Sequence, residues 1–257
     1  MMDTHKTKTH LKRVLEFQVL PFVGKPERYI GSEGGTVTKK NYDIHFCLVF
    51  ADTYEIGMSN LGLHILYSSI NKRKDTLAEY CFCPWNDMED ALNKKNVPLY
   101  SHGTYTFLNK FDIIGISVPH EMCYTNILTI LSSAKIPFKR IERFSGEYPL
   151  IIGGGVISAN PAPLEELFDI IVIGEGENII HKIIDAYRKF KNDNTFNKVE
   201  LMNFLSQIKG IYIPGTKKAV SRVYASSIEE ISIDFPVIAN CAPVHDRTIV
   251  QLARGCP

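Results

Sequence analysis

The stretch DIIGISVPHEMCYTNILTILSSA, residues Asp112–Ala134, decides the fold. Its opening run, Asp112–Val118, is almost continuously apolar and rich in Ile and Val, the composition of a strand buried on both faces. A short loop, Pro119–Cys123, interrupts it. From Tyr124 the spacing turns helical, with Ile127, Leu128, Ile130 and Leu131 recurring every three to four positions. The next apolar run, PLIIGG at Pro149–Gly154, ends in glycine. Strand, helix and strand in that order make a parallel unit, because only a crossover segment can return the chain to the same edge.

The same alternation extends in both directions. Upstream, IHFCLVF (Ile44–Phe50) reads as a strand before the helix LGLHILYSSINKR (Leu61–Arg73). EYCFCP (Glu79–Pro84) reads as the next strand before NDMEDALNKKN (Asn86–Asn96). Downstream, DIIVIG (Asp169–Gly174) precedes ENIIHKIIDAYRKF (Glu177–Phe190), which carries Ile179, Ile180, Ile183, Ile184 and Tyr187 on one side. Five strands alternating with helices over residues 44–190 predict an α/β fold, a doubly wound five-stranded parallel sheet in the flavodoxin-like order 2-1-3-4-5. Residues 1–43 read as a basic arm and loop. Residues 191–243 read as an α+β connector that starts with the polar KNDNTFNK. It holds a helix (Val199–Ile208) and the strand-like GIYIP (Gly210–Pro214) and AVSRVY (Ala219–Tyr224). The last residues, 244–257, read as a strand reaching a loop, RTIVQLARGCP.

Composition narrows the function classes. The 257 residues carry 29 Lys+Arg against 28 Asp+Glu, a formal charge of +1, so nucleic acid is not an expected partner. No apolar run approaches a membrane span, and none is expected at a membrane. The six cysteines, Cys47, Cys81, Cys83, Cys123, Cys241 and Cys256, form no compact disulfide framework, which implies a reducing, cytoplasmic setting. Cys81 and Cys83 alternate along a strand and read as core. His64 and His181 fall within helices and read as hydrogen-bonded or surface residues; His120 beside Glu121 can polarise a ligand. The dinucleotide fingerprint and the P-loop are both absent, as are H-E-x-x-H and G-x-S-x-G.

In the order 2-1-3-4-5 the loops after strands one, three, four and five share one edge, where ligands bind. They are Ala51–Asn60, with Asp52, Tyr54 and Gly57; Ser117 and Pro119–Cys123, with Glu121; Gly153-Gly154-Gly155 and the residues to Pro161; and Gly174-Glu175-Gly176-Glu177. Glycine at strand ends admits close backbone approach and positive φ. Glu175 and Glu177 complement the dipole of the helix they open.

Three segments carry a family resemblance: FVGKPERYIGSEGGTV (Phe22–Val37), FADTYEIGMSNLGLHILY (Phe50–Tyr67) and IIGGGVISANPAPLEELFDIIVIGEGE (Ile151–Glu177). Together they resemble the N-terminal region of cobalamin-binding-domain radical SAM proteins. HDRTIVQLARGCP (His245–Pro257) looks like the entry into that superfamily's barrel. The resemblance implies a 4Fe-4S cluster held by C-x-x-x-C-x-x-C, of which Cys256 is the first cysteine. It also implies S-adenosylmethionine, cleaved reductively at that cluster to start radical chemistry on a substrate the sequence does not identify. One thiolate does not hold such a cluster. The chain therefore reads as an inactive fragment of an enzyme whose barrel, its expected partner, is missing. Corrinoid carriers place histidine in D-x-H-x-x-G after strand one; here Asp52 and Gly57 keep the spacing but Tyr54 replaces the histidine. The resemblance leaves cobalamin occupancy open, without histidine ligation from this loop. It places Asp52, Tyr54, Gly57, Ser117, Glu121, Gly153, Gly154, Gly155, Glu175 and Gly176 around the cofactor cavity. A non-catalytic flavodoxin-like docking module is the competing reading. A stand-alone methyl carrier is disfavoured by Tyr54.

Overall fold

The structure is a computed structural model and describes residues 11–144, 147–192, 197–216, 218–225, 233–247 and 249–254. Its strands are β1 (Ile44–Phe50), β2 (Thr76–Phe82), β3 (Ile113–Ser117), β4 (Leu150–Gly154), β5 (Ile170–Val172) and β6 (Ile211–Tyr212). The helices are α1 (Tyr54–Gly57), α2 (Leu61–Asn71), α3 (Asn86–Lys95), α4 (Tyr124–Ser133), α5 (Arg140–Phe144), α6 (Gly176–Lys191) and α7 (Lys198–Leu205). The six strands form one sheet in the order β2-β1-β3-β4-β5-β6. The first five are parallel, as predicted, in the flavodoxin-like order.

Alternate side chains of each strand enter one of two cores, as the two-residue period requires. From β1, Ile44, Phe46, Leu48 and Phe50 meet α2, α6 and α7 through Leu63, Tyr67, Ile183, Ile184 and Leu201. Cys47 and Val49 point the other way, toward Met88 and Leu92 of α3 and Ile127, Ile130 and Leu131 of α4. Every residue of β1 and of β2 is buried. Cys81 and Cys83 pack in the second of these cores, as expected. His64 is hydrogen-bonded to the Tyr80 hydroxyl and the Met58 carbonyl, and His181 to Ser69.

Four features depart from the sequence reading. First, GIYIP supplies a sixth strand: β6 runs antiparallel to β5, with Ile171 opposite Tyr212 and Val172 opposite Ile211. The chain reaches β6 through two helices, α6 and α7, where each parallel unit uses a single crossover, and enters beside β5 in the opposite direction. Second, β2 starts three residues before the expected Glu79, at Thr76, and its polar members are paired: the Thr76 carbonyl accepts from Lys39 Nζ, and Glu79 pairs with His45 of β1. Third, AVSRVY contributes a single parallel bridge, Val223 to Gly174, and residues 249–254 join no strand. Fourth, Leu11, Leu15, Val19 and Leu20, in the segment assigned to the arm, are buried core residues beside α3. The end of the connector and the start of the segment after it are also docked. Asn240 N–H donates to the Tyr54 hydroxyl at 2.9 Å, and His245 N–H to Ser59 Oγ at 3.0 Å.

Candidate functional site

Parallel pairing sets the carboxyl ends of β3, β4 and β5 side by side: Ser117 is opposite Gly154, and Gly153 opposite Ile171. Beyond those ends the chain turns away, and a cavity of about 590 Å³ opens between the sheet edge, α2 and the start of α6. That volume lies within the roughly 300–1,000 Å³ of small-molecule sites. Phe46, Leu48, Ile152 and Ile180 form its apolar floor. Asn60, Ser117, Ser158, Glu175, Glu177, Arg222 and Arg254 supply its polar groups.

Of the residues placed at the edge from sequence, Ser117, Gly153, Gly154, Gly155, Glu175 and Gly176 all line this cavity. Asp52, Tyr54, Gly57 and Glu121 do not. Tyr54 is a correction: its ring is buried against Phe82 and His102, and its hydroxyl is taken by the connector. Burial raises its pKa further, so it remains a neutral phenol. Gly57 belongs to the same packing, because a Cβ there would stand 2.3 Å from the Phe82 ring. Glu121 is exposed at the start of α4's loop. Asp52 faces the β3 loop instead, near His120 and Cys123. Cys256 lies outside the described residues.

The cavity also takes residues that sequence reasoning missed. Asn60 caps α2, its side-chain oxygen accepting from Leu63 N–H at 2.9 Å. Arg222 comes from the connector, carried past the end of β5 by the Val223–Gly174 bridge. Gly174 has φ +117°, and a Cβ there would stand 2.1 Å from the Val223 carbonyl oxygen, so only glycine admits the connector. Arg254 returns from the far end of the chain and spans two carboxylates, at 3.2 Å from Glu175 and 2.6 Å from Glu177. All three side chains are only about one-sixth exposed, at 17%, 17% and 16%. Glu175 does not cap its helix by a side-chain hydrogen bond. It accepts instead from Ala225 N–H and pairs with Arg254.

Gln251, Ala253 and Arg254 thus lie along the sheet-edge cavity as a strap of chain. A family model described as radical SAM proteins, N-terminal, matches residues 62–214, more than half of the chain. The chain belongs to that family. An uncharacterized protein of Methanocaldococcus jannaschii is 22% identical over 214 residues, covering 82% of this chain and 38% of that relative. This radical SAM N-terminal chain thus spans well under half the length of that relative. No solved structure matches it. No helix among its described residues is long and apolar enough to cross a membrane.

The donor set tests which cofactor these residues fit. No histidine, cysteine or methionine lines the cavity among the described residues, so none of those side chains offers cobalt a ligand there. Tyr54, in the position of the corrinoid histidine, is sealed in the core. The residues present do not fit a histidine-ligated corrinoid.

Proposed function

We propose that this chain is the N-terminal, cobalamin-binding-like domain of a radical SAM, iron–sulfur protein, and that its sheet edge packs against the barrel which holds the cluster and S-adenosylmethionine. The observation that carries the reading is the course of residues 251–254. Gln251, Ala253 and Arg254 line the cavity, and Cys256 follows Arg254 by two positions. In this reading Cys256 is the first cysteine of the C-x-x-x-C-x-x-C motif. Exposed Val156, at 80%, adds apolar surface beside the same opening.

In this reading the chain's own residues have defined tasks. Arg254 locks the entry segment to α6 through two carboxylates. Ser117, Asn60 and the backbone of Gly153–Gly155 line a small-molecule cavity that the barrel covers. The family's chemistry belongs to the cluster and its bound S-adenosylmethionine, with Cys256 supplying one thiolate.

The test uses a longer chain that carries the full cysteine motif, reconstituted anaerobically with iron and sulfide. The expected outcome is the broad visible absorption of a 4Fe-4S cluster and reductive formation of 5′-deoxyadenosine, both lost in Cys256→Ala. A reconstituted chain that keeps its cluster in Cys256→Ala would defeat the assignment. Titration of the 257-residue chain with hydroxocobalamin tests the cavity separately. Retention without a histidine-ligated spectrum supports a corrinoid site of the ligand-free kind; no retention leaves the cavity to another small molecule.

A further inference from the structure

The loops after β1 and β3 hold a second cluster of ligating atoms, outside the cavity. Among the described residues, Asp52, His120 and Cys123 each offer one donor atom to a common centre. The Cys123 sulfur lies 3.6 Å from Asp52 Oδ2 and 3.5 and 3.7 Å from His120 Nδ1 and Nε2, and His120 Nε2 lies 3.9 Å from Asp52 Oδ2. The sulfur, Nε2 and Oδ2 make a nearly equilateral triangle. Zinc bonds of roughly 2.3 Å to sulfur and 2.0–2.2 Å to nitrogen and oxygen require tetrahedral edges of roughly 3.3–3.6 Å. Bringing the three donors onto one ion takes a shift of a few tenths of an ångström in these edges and a turn of the half-exposed His120 ring that aims Nε2 at the centre.

The local fold explains why the three atoms converge. Residues Glu121–Cys123 form a 3₁₀ turn capped by His120, with Cys123 N–H donating to the His120 carbonyl at 3.1 Å. His120 stands in extended conformation immediately before the turn, and this hydrogen bond folds Cys123 back beside it. Their H-x-x-C spacing matches the two-residue gap common in zinc ligand pairs. Asp52 follows β1 directly, and Ala51 N–H bonded to the Ser117 carbonyl at 3.0 Å ties the two strand ends together. Thr53 N–H donates to Asp52 Oδ1 at 2.7 Å, which orients the carboxylate and leaves Oδ2 for the cluster. Asn126 of α4 donates to the Ala51 carbonyl at 2.9 Å and fixes the helix against the same loop.

We propose that Asp52, His120 and Cys123 form a mononuclear divalent metal site of the zinc type, with its fourth position open to water. One sulfur, one imidazole and one carboxylate suit Zn²⁺ or Co²⁺ over the all-oxygen preference of Mg²⁺ and Ca²⁺. The His120 side chain is 49% exposed, which gives an ion an entry path from solvent, whereas Cys123 is buried at 1%. Without metal the thiol hydrogen points to Asp52 Oδ2. On binding, the sulfur–hydrogen bond is replaced by a sulfur–metal bond and one proton leaves to solvent, so affinity rises with pH.

Cobalt titration of the intact chain, read by absorption, tests the site. The expected result is one equivalent of Co²⁺ with visible bands of a tetrahedral ion and a thiolate-to-cobalt charge-transfer band, displaced by Zn²⁺. Cys123→Ser removes the charge-transfer band. His120→Ala, a change at a half-exposed side chain, weakens Zn²⁺ by roughly tenfold or more in competition with a chromophoric chelator. Cys256→Ala leaves both readouts unchanged. A charge-transfer band that persists in Cys123→Ser, an unchanged Zn²⁺ affinity in His120→Ala, or no Co²⁺ bound at all overturns the proposal.

Discussion

A methyl group on Gly153 would stand 2.8 Å from the Phe168 ring, and one on Gly155 would stand 2.5 Å from the Val118 carbonyl oxygen. One on Gly154 would meet nothing within 4 Å. Gly155 also has φ +106°, which a side chain rarely tolerates. Packing and backbone conformation therefore require two of these glycines and leave the third free, facing the cavity. The two substitutions should separate cleanly in urea denaturation. Gly155→Ala should cost about 1–3 kcal/mol, the scale of local backbone strain. Gly154→Ala should stay within about 0.5 kcal/mol of the parent. The three-glycine run was readable as special from sequence, but its members were indistinguishable there. Their differences come from Phe168 and Val118, which approach from elsewhere in the chain.

At the scale of elements, β2 shows where patterning misleads. Glu79 looks like a surface residue, yet it is 1% exposed in a strand buried throughout. Its carboxylate accepts from His45 at 3.0 Å and from Thr104 N–H at 3.0 Å. Burial by itself would push its pKa up, but hydrogen bonds from His45, Ser101 and Thr104 hold it below the ordinary 4.5. A carboxylate with a depressed folded pKa stabilises the fold fully above the unfolded value. That contribution is lost as pH falls through the lower folded value. Stability should therefore drop as pH is taken from 4.5 downward, and Glu79→Gln should flatten the drop. Urea midpoints of both proteins at neutral and acid pH measure the difference in slope; parallel slopes would show that Glu79 carries none of it. The strands read correctly from sequence, β1, β3, β4 and β5, are those whose apolar runs needed no distant partner. The sixth strand was read as strand-like, but its place beside β5 depends on chain geometry after α7.

For the whole molecule, the decisive contact joins two parts of the sequence nearly eighty residues apart. Arg254 bridges Glu175 and Glu177 and lays Gln251–Arg254 along the cavity. Residues before it, Val250 at 71% and Leu252 at 88%, stay exposed, so little apolar burial holds the segment. Arg254→Ala should speed amide hydrogen exchange across residues 249–254, while exchange in the central strands β1 and β3 stays at the parent level. Unchanged exchange in 249–254 would mean that other contacts hold the strap.

The sequence by itself determined the α/β class, five parallel strands, their order and the identity of the edge that carries the cavity. It could do so because buried parallel strands and amphipathic helices are local patterns, written in consecutive residues. Only the tertiary structure decided which edge residues share a site. Tyr54 went into the core because the connector bonds its hydroxyl, and Asp52 turned to His120 and Cys123 because β1 and β3 are neighbours. Arg222 and Arg254 entered the cavity through bridges and ion pairs with residues far away in sequence. Such contacts arise from packing, and no spacing along the chain encodes them.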